Sequence, residues 1–264
     1  MIKKFKDRLF SDYLMPSRLK EYRRLLEKSL KLDYKHLSVI DFFHRLEAGK
    51  ISKGGRYFIH RHDIDTDIRT AKKTFSIEKA LGIKATYYFR LSTLDYALMK
   101  EISEYGSEAS YHFEELASYC KMNHIKSKKE ALENLDEIKS IFKNNVAMIE
   151  KESSIKIQSV ASHGDFVNRE LDIINNVVTN DLSLRRGLGI ACETYDSTLM
   201  DSFDLYISDK PYPVYFSPIS PFEALNEPDK NSIICMTSHP RQWETNWLVN
   251  TVDNISRLVE GMRW

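Results

Sequence analysis

The chain has 264 residues and a mass of 30.9 kDa, which suits one large α/β domain or two small ones. Its apolar fraction of 42% and charged fraction of 29% exclude extended disorder, because such a chain has enough apolar surface to bury a core. Lysine and arginine (39 residues) nearly balance aspartate and glutamate (38), so the net charge of +1 gives no overall attraction to nucleic acid or to a membrane.

The N-terminal stretch is basic and helical in pattern. The first 35 residues contain eleven lysines and arginines against five acidic residues, with apolar residues at helical spacing from Tyr22 to Leu30. This pattern fits either the solvated face of an appended helix or a patch for a membrane surface or an anionic carrier lipid. His36–Lys50 is predicted as a further helix, so residues 1–52 form a helical extension packed on a domain of residues 53–264.

From Arg56 onward, strand-like and helix-like segments alternate. The predicted strands are 56–62, 84–91, 108–112, 157–161 and 232–237, with short β pieces between residues 182 and 216, and the predicted helices are 67–81, 94–105, 128–152, 169–178 and 243–262. Strands separated by helices are typical of parallel βαβ units. The predicted fold class is therefore α/β, a single barrel-like sheet rather than two domains.

Neither a secretion signal nor a membrane span is expected. Charges are scattered through the N-terminal turns, and no stretch approaches the ~20 apolar residues that a bilayer span needs. Cys120, Cys192 and Cys235 are far apart and form no CxxC pair. We therefore expect a cytoplasmic protein in a reducing compartment, without a disulfide framework or a cysteine zinc site.

Chemically active side chains follow the ends of the predicted strands. They are Asp63 and Asp65 after the first strand, His112 at the end of the third, His163 after the fourth and His239 after the last. In a parallel barrel the carboxyl ends of all strands face the same side, where active sites are built. We therefore expect these five residues to lie around one site.

The segment Asp63-Ile64-Asp65 has two candidate catalytic or metal-binding carboxylates within three residues. Alternation along a strand places both carboxylates on one face and Ile64 on the other. Two adjacent carboxylates repel each other, and a metal held by one together with a base role for the other resolves the conflict. The alternative is a turn or a helix cap at the strand end, a role that Asp67 also suits.

Each histidine has a structural interpretation beside its functional one. His112 is either a buried structural residue or a metal ligand, and His163 is either a ligand or substrate contact or part of a tight turn before Gly164. His239, followed by Pro240 and Trp243, suits an acid histidine beside an aromatic sugar platform, or a helix start with a buried tryptophan.

Three segments together form a motif set with a characteristic order and spacing: Arg61–Asp65 (RHDID), Leu81–Phe89 (LGIKATYYF) and Gly106–His112 (GSEASYH). Weaker motif similarities follow at residues 162–164, 195–196 and 238–240. Together they resemble the polysaccharide deacetylase superfamily, the NodB-homology fold. The similarity is closest to its RHDVD/GHEIGYH branch, often encoded with capsule and O-antigen genes.

The resemblance implies a distorted (β/α) barrel with extra N-terminal helices that hydrolyses an N-acetyl group on a sugar with a divalent metal, such as zinc. It also implies that Asp63 is the base, that Asp65 and His112 are metal ligands, and that His239 is the general acid. Leu116 stands where the family has a second histidine, so the third ligand is predicted to be His163 or, in its place, Glu115.

The resemblance gives a role to one further aspartate, and three other residues are predicted to contact the substrate. Asp196 resembles the family's charge-relaying aspartate, with Arg185 or Arg186 as its partner. Arg61, Glu115 and Trp243 are predicted to contact the substrate.

The leading hypothesis is a metal-dependent hydrolase that removes an N-acetyl or related acyl group from a nucleotide- or lipid-linked amino sugar in surface-polysaccharide or O-antigen synthesis. One alternative is a non-catalytic or metal-free sugar-binding protein on the same fold. Another is a scaffold that uses the basic N-terminal helices, with peripheral membrane contact. No RNA-binding or phosphate-loop signature is present, so no nucleic-acid partner is expected.

Overall fold

Strand β2 (Tyr57–Ile64) lies in the middle of the sheet, and all eight of its residues are buried. A strand buried along its length needs partners on both edges for its backbone N–H and C=O groups. Strand β3 (Thr86–Phe89) pairs in parallel with the last four residues of β2, and β9 (Ile233–Ser238) pairs in parallel with its other edge. The short strand β1 (Lys35–Leu37) pairs with the first three residues of β2.

The computed structural model describes residues 2–264, with side chains from Lys6 to Met262 and that of Trp264; Met1 of the predicted basic stretch lies outside the described residues. The remaining strands are β4 (Glu108–Phe113), β5 (Ser159–Ser162), β6 (Cys192–Glu193), β7 (Leu205–Asp209) and β8 (Phe216–Ser217). Along the sheet the order is β6-β5-β4-β3-β2-β9-β7-β8, and the β7–β8 pair is antiparallel. This mainly parallel sheet curls into a half-barrel, which confirms the predicted α/β class and distorted barrel.

Helices surround the sheet. They are α1 (Ile2–Leu9), α2 (Leu19–Lys31), α3 (Val39–Glu47), α4 (Ile68–Ala80), α5 (Tyr96–Tyr105), α6 (Glu115–Met122), α7 (Lys128–Glu133), α8 (Leu135–Ser153), α9 (Phe166–Glu170), α10 (Leu182–Leu188), α11 (Ser197–Met200), α12 (Pro221–Ala224) and α13 (Trp247–Arg263). Short helical turns of other types cover Phe10–Leu14, Leu91–Thr93, Asn175–Val178 and Pro240–Gln242. Among the described residues, no helix combines the length and apolar character needed to cross a membrane.

Capping residues decide where several helices begin and end. Asp67 accepts hydrogen bonds from the N–H groups of Arg69 and Thr70, so α4 begins where the sequence predicted. Gly106, with a φ of 86°, ends α5 in the left-handed conformation that glycine adopts most easily.

Several predicted helices differ from the structure in their bounds, and for two of them a capping side chain gives the reason. Ser38 caps α3, so this helix starts at Val39 and leaves His36 to strand β1. The predicted helix 128–152 is divided at Asn134 into α7 and α8. Asp165 caps α9, so that helix lies at Phe166–Glu170 and the predicted segment 169–178 is mostly turn.

The two faces of β2 meet different surroundings. Tyr57 and Ile59 point into the curl of the sheet, where they pack in one cluster with Tyr88, Ala161 and Cys192 from three other strands. Residues at alternate positions face the surrounding helices, and Ile64 packs there, as the alternation in the sequence predicts. Arg61 and Asp63 continue the inner face toward the carboxyl end of the strand.

A buried polar cluster ties the N-terminal helix α2 to the outer face of β2. The carboxylate of Glu78 accepts hydrogen bonds from the hydroxyl groups of Tyr22 and Tyr87, and it lies 2.7 Å from Nε2 of His62. The hydroxyl of Tyr22 also contacts Nδ1 of His60 at 2.9 Å. Burial opposes ionisation of Glu78, but the two histidines outweigh it and lower the pKa of this carboxyl. We call these five residues the outer-face cluster.

We expect Glu78→Ala to lower the free energy of unfolding by about 3–5 kcal/mol, because it leaves buried histidine and tyrosine groups without their shared acceptor. The control is Glu101→Ala, which removes a surface ion pair with Lys79 and should cost less than about 1 kcal/mol. Urea unfolding followed by circular dichroism measures both changes. Similar small losses in the two variants would contradict a structural role for the outer-face cluster.

Candidate active site

The side chains that follow the strands meet at the carboxyl end of the sheet. Asp65 comes just after β2, and its Oδ1 lies 3.4 Å from Nε2 of His112 on β4. Its Oδ2 lies 3.5 Å from Nε2 of His163, which follows β5, and 3.2 Å from Nε2 of His239, which follows β9. Asp63 lies beside this group, with its Oδ2 3.8 Å from Nε2 of His112. The structure thus brings together all five residues that the strand-end argument selected.

Asp65, His112 and His163 have the chemistry and spacing of a three-ligand metal site. One ligand atom from each lies within 4.8 Å of the others. One carboxylate and two imidazoles are a donor set that zinc and related divalent metals accept, with positions left for water or substrate. Oδ1 of Asp65 is buried and has no hydrogen-bond partner among the described residues, as expected for an atom that serves a cation. The residues therefore fit a divalent metal.

Both histidine ligands are oriented by a second contact on the other ring nitrogen. Nδ1 of His112 lies 3.0 Å from the carbonyl oxygen of Ala161 on the neighbouring strand β5. Nδ1 of His163 lies 3.1 Å from a carboxylate oxygen of Glu114, and Arg90 holds that carboxylate through three hydrogen bonds of 2.7–3.0 Å. Outer contacts of this kind fix the ring orientation of metal-binding histidines.

The charge of Asp65 is balanced by the imidazoles around it. Burial opposes ionisation of this carboxyl, but His163 and His239 outweigh burial and hold its pKa well below the usual value. In the same way, burial opposes protonation of His163, and Asp65 together with Glu114 overcomes this and raises its pKa to about 9. The site is therefore built to keep Asp65 ionised and to surround it with positive charge.

Asp63 is held by Arg61 on the same face of β2. Nε and Nη2 of Arg61 each donate a 2.7 Å hydrogen bond to a different oxygen of Asp63. Burial opposes ionisation, but the guanidinium outweighs it and lowers the pKa of Asp63. A carboxylate has two lone-pair sites on each oxygen, so this pair keeps Asp63 ionised and leaves it free to accept a further proton.

His239 is held by Asp209, the last residue of β7. Nδ1 of His239 lies 3.0 Å from both oxygens of Asp209, and the backbone N–H of His239 donates to the same carboxylate at 2.9 Å. Burial opposes protonation of this imidazole, but Asp209 and Asp65 outweigh it and raise its pKa well above the usual value. The arrangement therefore presents a protonated Nε2 to the site.

A cavity of about 560 Å³ opens beside His239 and Asp209. Its lining includes four basic side chains, Arg8, Lys210, Arg241 and Arg257, and three acidic ones, Asp7, Asp12 and Asp209. Arg8 pairs with Asp12 and Arg257 pairs with Asp253, so Lys210 and Arg241 are the lining cations without an ion pair among the described contacts. A cavity of this size accepts a small ligand, and the cations suit a ligand that carries negative charge.

Three residues predicted to contact the substrate have other positions. Trp243 is fully buried, donates a 3.1 Å hydrogen bond to Ser238 and packs against Tyr22, so it cannot stack on a sugar. Glu115 is buried and accepts hydrogen bonds from Tyr111 and Asn145, away from the metal ligands. Arg61 is 1% exposed and engaged with Asp63, so it orients the carboxylate rather than binding substrate.

The predicted charge relay through Asp196 is also different. Asp196 pairs with Arg185, as predicted, through hydrogen bonds of 2.9 and 2.5 Å. This pair makes no hydrogen bond or ion pair to the five site residues among the described contacts. The contacts to the site residues come instead from Arg61, which donates to Asp63, and from Asp209, which lies 3.0 Å from Nδ1 of His239.

Sequence reasoning missed the supporting roles of Asp209, Glu114 and Arg90. Asp209 ends strand β7, but the sequence pattern between residues 182 and 216 indicates only short β pieces and does not define where each one ends. Glu114 stands next to Glu115, and only the turn after β4 decides which of the two faces the site. Glu114, His163 and Asp165 also have metal-ligand spacing, but Arg90 already pairs with Glu114, and Lys121 pairs with Asp165 at 2.9 Å.

Neither a protein-family model nor a curated protein matches this chain. Among solved structures, it is similar to the deacetylase PplD of Streptococcus pyogenes, with 15% identity and a TM-score of 0.43 over 66% of this chain and 70% of that one. It is similar to BA3943 of Bacillus anthracis, a CE4 family pseudoenzyme, with 15% identity and a TM-score of 0.41 over 81% and 66% of the two chains. The Xyl-CE4 domain of a multidomain xylanase from the hindgut metagenome of Trinervitermes trinervoides has 11% identity and a TM-score of 0.36 over 77% and 84%. At these values the similarities carry no functional conclusion, and function is inferred from the side chains themselves.

We expect His163→Ala to weaken zinc binding more than about 100-fold, because it removes one of three ligands, whereas Glu114→Gln should weaken it about 10–100-fold by disturbing the orientation of His163. Glu115→Gln is the matched control and should leave the affinity unchanged. Competition with a chromogenic chelator measures the affinities. Loss of zinc in Glu115→Gln with retention in His163→Ala would overturn this assignment of the third ligand.

Proposed function

We propose that the chain is a metal-dependent hydrolase that removes an N-acetyl or related acyl group from an amino sugar, and that it belongs with the polysaccharide deacetylases. One observation carries this proposal: the three candidate metal ligands lie beside two ion-paired side chains. One is the Asp63 carboxylate, held by Arg61, and the other is the His239 imidazole, held by Asp209. These three components supply what amide hydrolysis needs, which is an electrophile, a base for water and an acid for the departing amine.

A divalent metal such as zinc, held by Asp65, His112 and His163, would supply Lewis-acid chemistry that polarises the acyl carbonyl and makes a water more acidic. Asp63 is placed to take the proton of the attacking water. Arg61 keeps Asp63 ionised and restricts its rotation, so that the carboxylate is already oriented when the substrate arrives.

His239 is placed to donate a proton to the nitrogen of the departing amine. Without that proton, cleavage of the C–N bond would expel an amide anion, which is a very poor leaving group. Asp209 holds the Nδ1 side of the ring, so the proton to be donated is on Nε2, the nitrogen nearest Asp65. The two held side chains therefore serve the two proton transfers of the reaction.

The substrate is proposed to be a nucleotide- or lipid-linked amino sugar used in surface-polysaccharide or O-antigen synthesis. Lys210 and Arg241, the two lining cations of the cavity beside His239 that have no ion pair among the described contacts, support a substrate with a phosphate group. Cys120, Cys192 and Cys235 are free and buried, which suits the cytoplasm, where such precursors are assembled.

The proposal is tested by acetate release from a panel of acetamido sugars, offered free, nucleotide-linked and lipid-linked. Asp63→Asn should lower turnover at least about 10²–10⁴-fold, because an amide cannot take the proton of water. It should also lower the melting temperature, since Arg61 loses a buried partner, so activity is compared where both proteins are folded. Turnover of Asp63→Asn at the wild-type rate would exclude Asp63 as the base. Zinc binding without acetate release from any substrate would favour the sugar-binding alternative.

The acid role of His239 is tested by comparing two leaving groups. We expect His239→Gln to lower hydrolysis of the acetamido sugar about 10²–10⁴-fold but to affect 4-nitrophenyl acetate far less, because nitrophenolate departs without a proton. Equal losses on both substrates would contradict the acid role.

The same pair of substrates tests which aspartate supports His239. Asp209→Asn should reproduce the selective loss on the amide, because it removes the carboxylate that holds the protonated ring. Asp196→Asn is the matched control and should hydrolyse both substrates at nearly wild-type rates. Selective loss in Asp196→Asn, with Asp209→Asn unaffected, would restore the relay that the sequence predicted.

A further inference from the structure

Helix α13 packs against the protein with its polar side and turns its apolar side outward. Asn250 is buried and donates a 2.7 Å hydrogen bond to the carbonyl oxygen of Asp12, and Asn254 donates to the carboxylate of Asp12 at 3.2 Å. Asn254 also accepts a 2.6 Å hydrogen bond from Arg8 of α1. This arrangement is the reverse of that in α2, where Tyr22, Leu25 and Leu26 are buried.

The outward side of α13 is apolar except for the half-buried Thr251. The apolar side chains of this side are between 37% and 87% exposed: Trp247, Leu248, Val252, Ile255, Leu258, Val259 and Met262. At 100° per residue these seven positions fall within an arc of about 140°. Leu9 and Leu14, in the N-terminal segment that contacts α13, are exposed as well. An apolar surface of this extent on a folded protein indicates an interaction site.

The charges on α13 itself balance, with Asp253 and Glu260 against Arg257 and Arg263, whereas the neighbouring helix α1 is basic. Helix α1, which Arg8 joins to α13, contains Lys3, Lys4, Lys6 and Arg8 and one acidic residue, Asp7. Arg241 and Lys210 add two exposed basic residues at the rim of the cavity that Arg8 and Arg257 also line. A helix with an apolar outer side and basic neighbours is typical of proteins that lie on an anionic membrane.

We propose that the apolar side of α13, with the basic helix α1 beside it, binds the surface of an anionic lipid membrane. A second copy of the chain is a poorer partner, because a twofold contact through α13 would bring two basic α1 helices together. The binding does not depend on the proposed enzyme activity. If that activity is correct, membrane binding would hold the protein at the surface where a lipid-linked sugar is found.

The test is sedimentation of the full chain with vesicles of phosphatidylcholine alone or mixed equally with phosphatidylglycerol. We expect binding to the mixed vesicles that weakens as salt is raised, and weaker binding to the neutral ones. Ile255→Glu/Leu258→Glu should lower the binding at least tenfold, to about background, because both side chains are removed from the apolar surface. Lys6→Glu should weaken binding several-fold on the mixed vesicles alone.

Leu182→Glu is the matched control, since it places the same charge at an equally exposed apolar position on α10, and it should bind as wild type does. Circular dichroism and the melting temperature establish that each variant is folded. Failure of the wild-type chain to sediment with mixed vesicles would overturn the proposal. A wild-type dimer in light scattering that the double variant dissociates would show instead that the surface joins two copies.

Discussion

The rest of the site depends on one carboxylate, that of the partly buried Asp65, which must be matched by positive charge. Asp65 lies where β2 ends, with three imidazoles within 3.5 Å of its oxygens. These imidazoles come from β4, from the turn after β5 and from the turn after β9, which lie on both sides of β2 in the sheet. Because a carboxylate in this position is costly without cations, the curl of the sheet and the ionisation of Asp65 are linked. A metal cation bound among the same atoms meets the same electrostatic requirement.

Strand β2 serves both the site and the stability of the fold through simple alternation. Its inner face carries Arg61 and Asp63, which are paired with each other and point toward the site. Its outer face carries His60 and His62, which belong to the outer-face cluster and hold helix α2 against the sheet. Rigid strands position reacting groups more accurately than loops do. The central place of β2, with partners on both edges, therefore gives the proposed base a firm support.

The sequence was sufficient for the alternation of strands and helices and for the five strand-end residues, because both follow from periodicity and from the geometry of parallel sheets. It was insufficient where the position of a side chain depends on packing against residues that are distant in the sequence. Trp243 is buried because Tyr22 and Phe216 surround it, and neither neighbour is visible from the local sequence. The pairing of Arg61 with Asp63 was accessible, since residues two apart share a strand face. The end of β7 at Asp209 was not, because the pattern between residues 182 and 216 indicates short β pieces without defining where each one ends. In α13, periodicity identifies an amphipathic helix but not the direction in which its apolar side points.

The central claim is that Asp65, His112 and His163 together hold a divalent metal. Anomalous diffraction from crystals of the zinc-loaded protein, recorded on both sides of the zinc absorption edge, tests this most directly. The account predicts one strong peak about 2.0–2.2 Å from an oxygen of Asp65 and from Nε2 of both histidines. His60, His62 and Glu78 of the outer-face cluster also have metal-ligand spacing. A peak there, or at Glu114 and Asp165, with none at Asp65, would contradict the account.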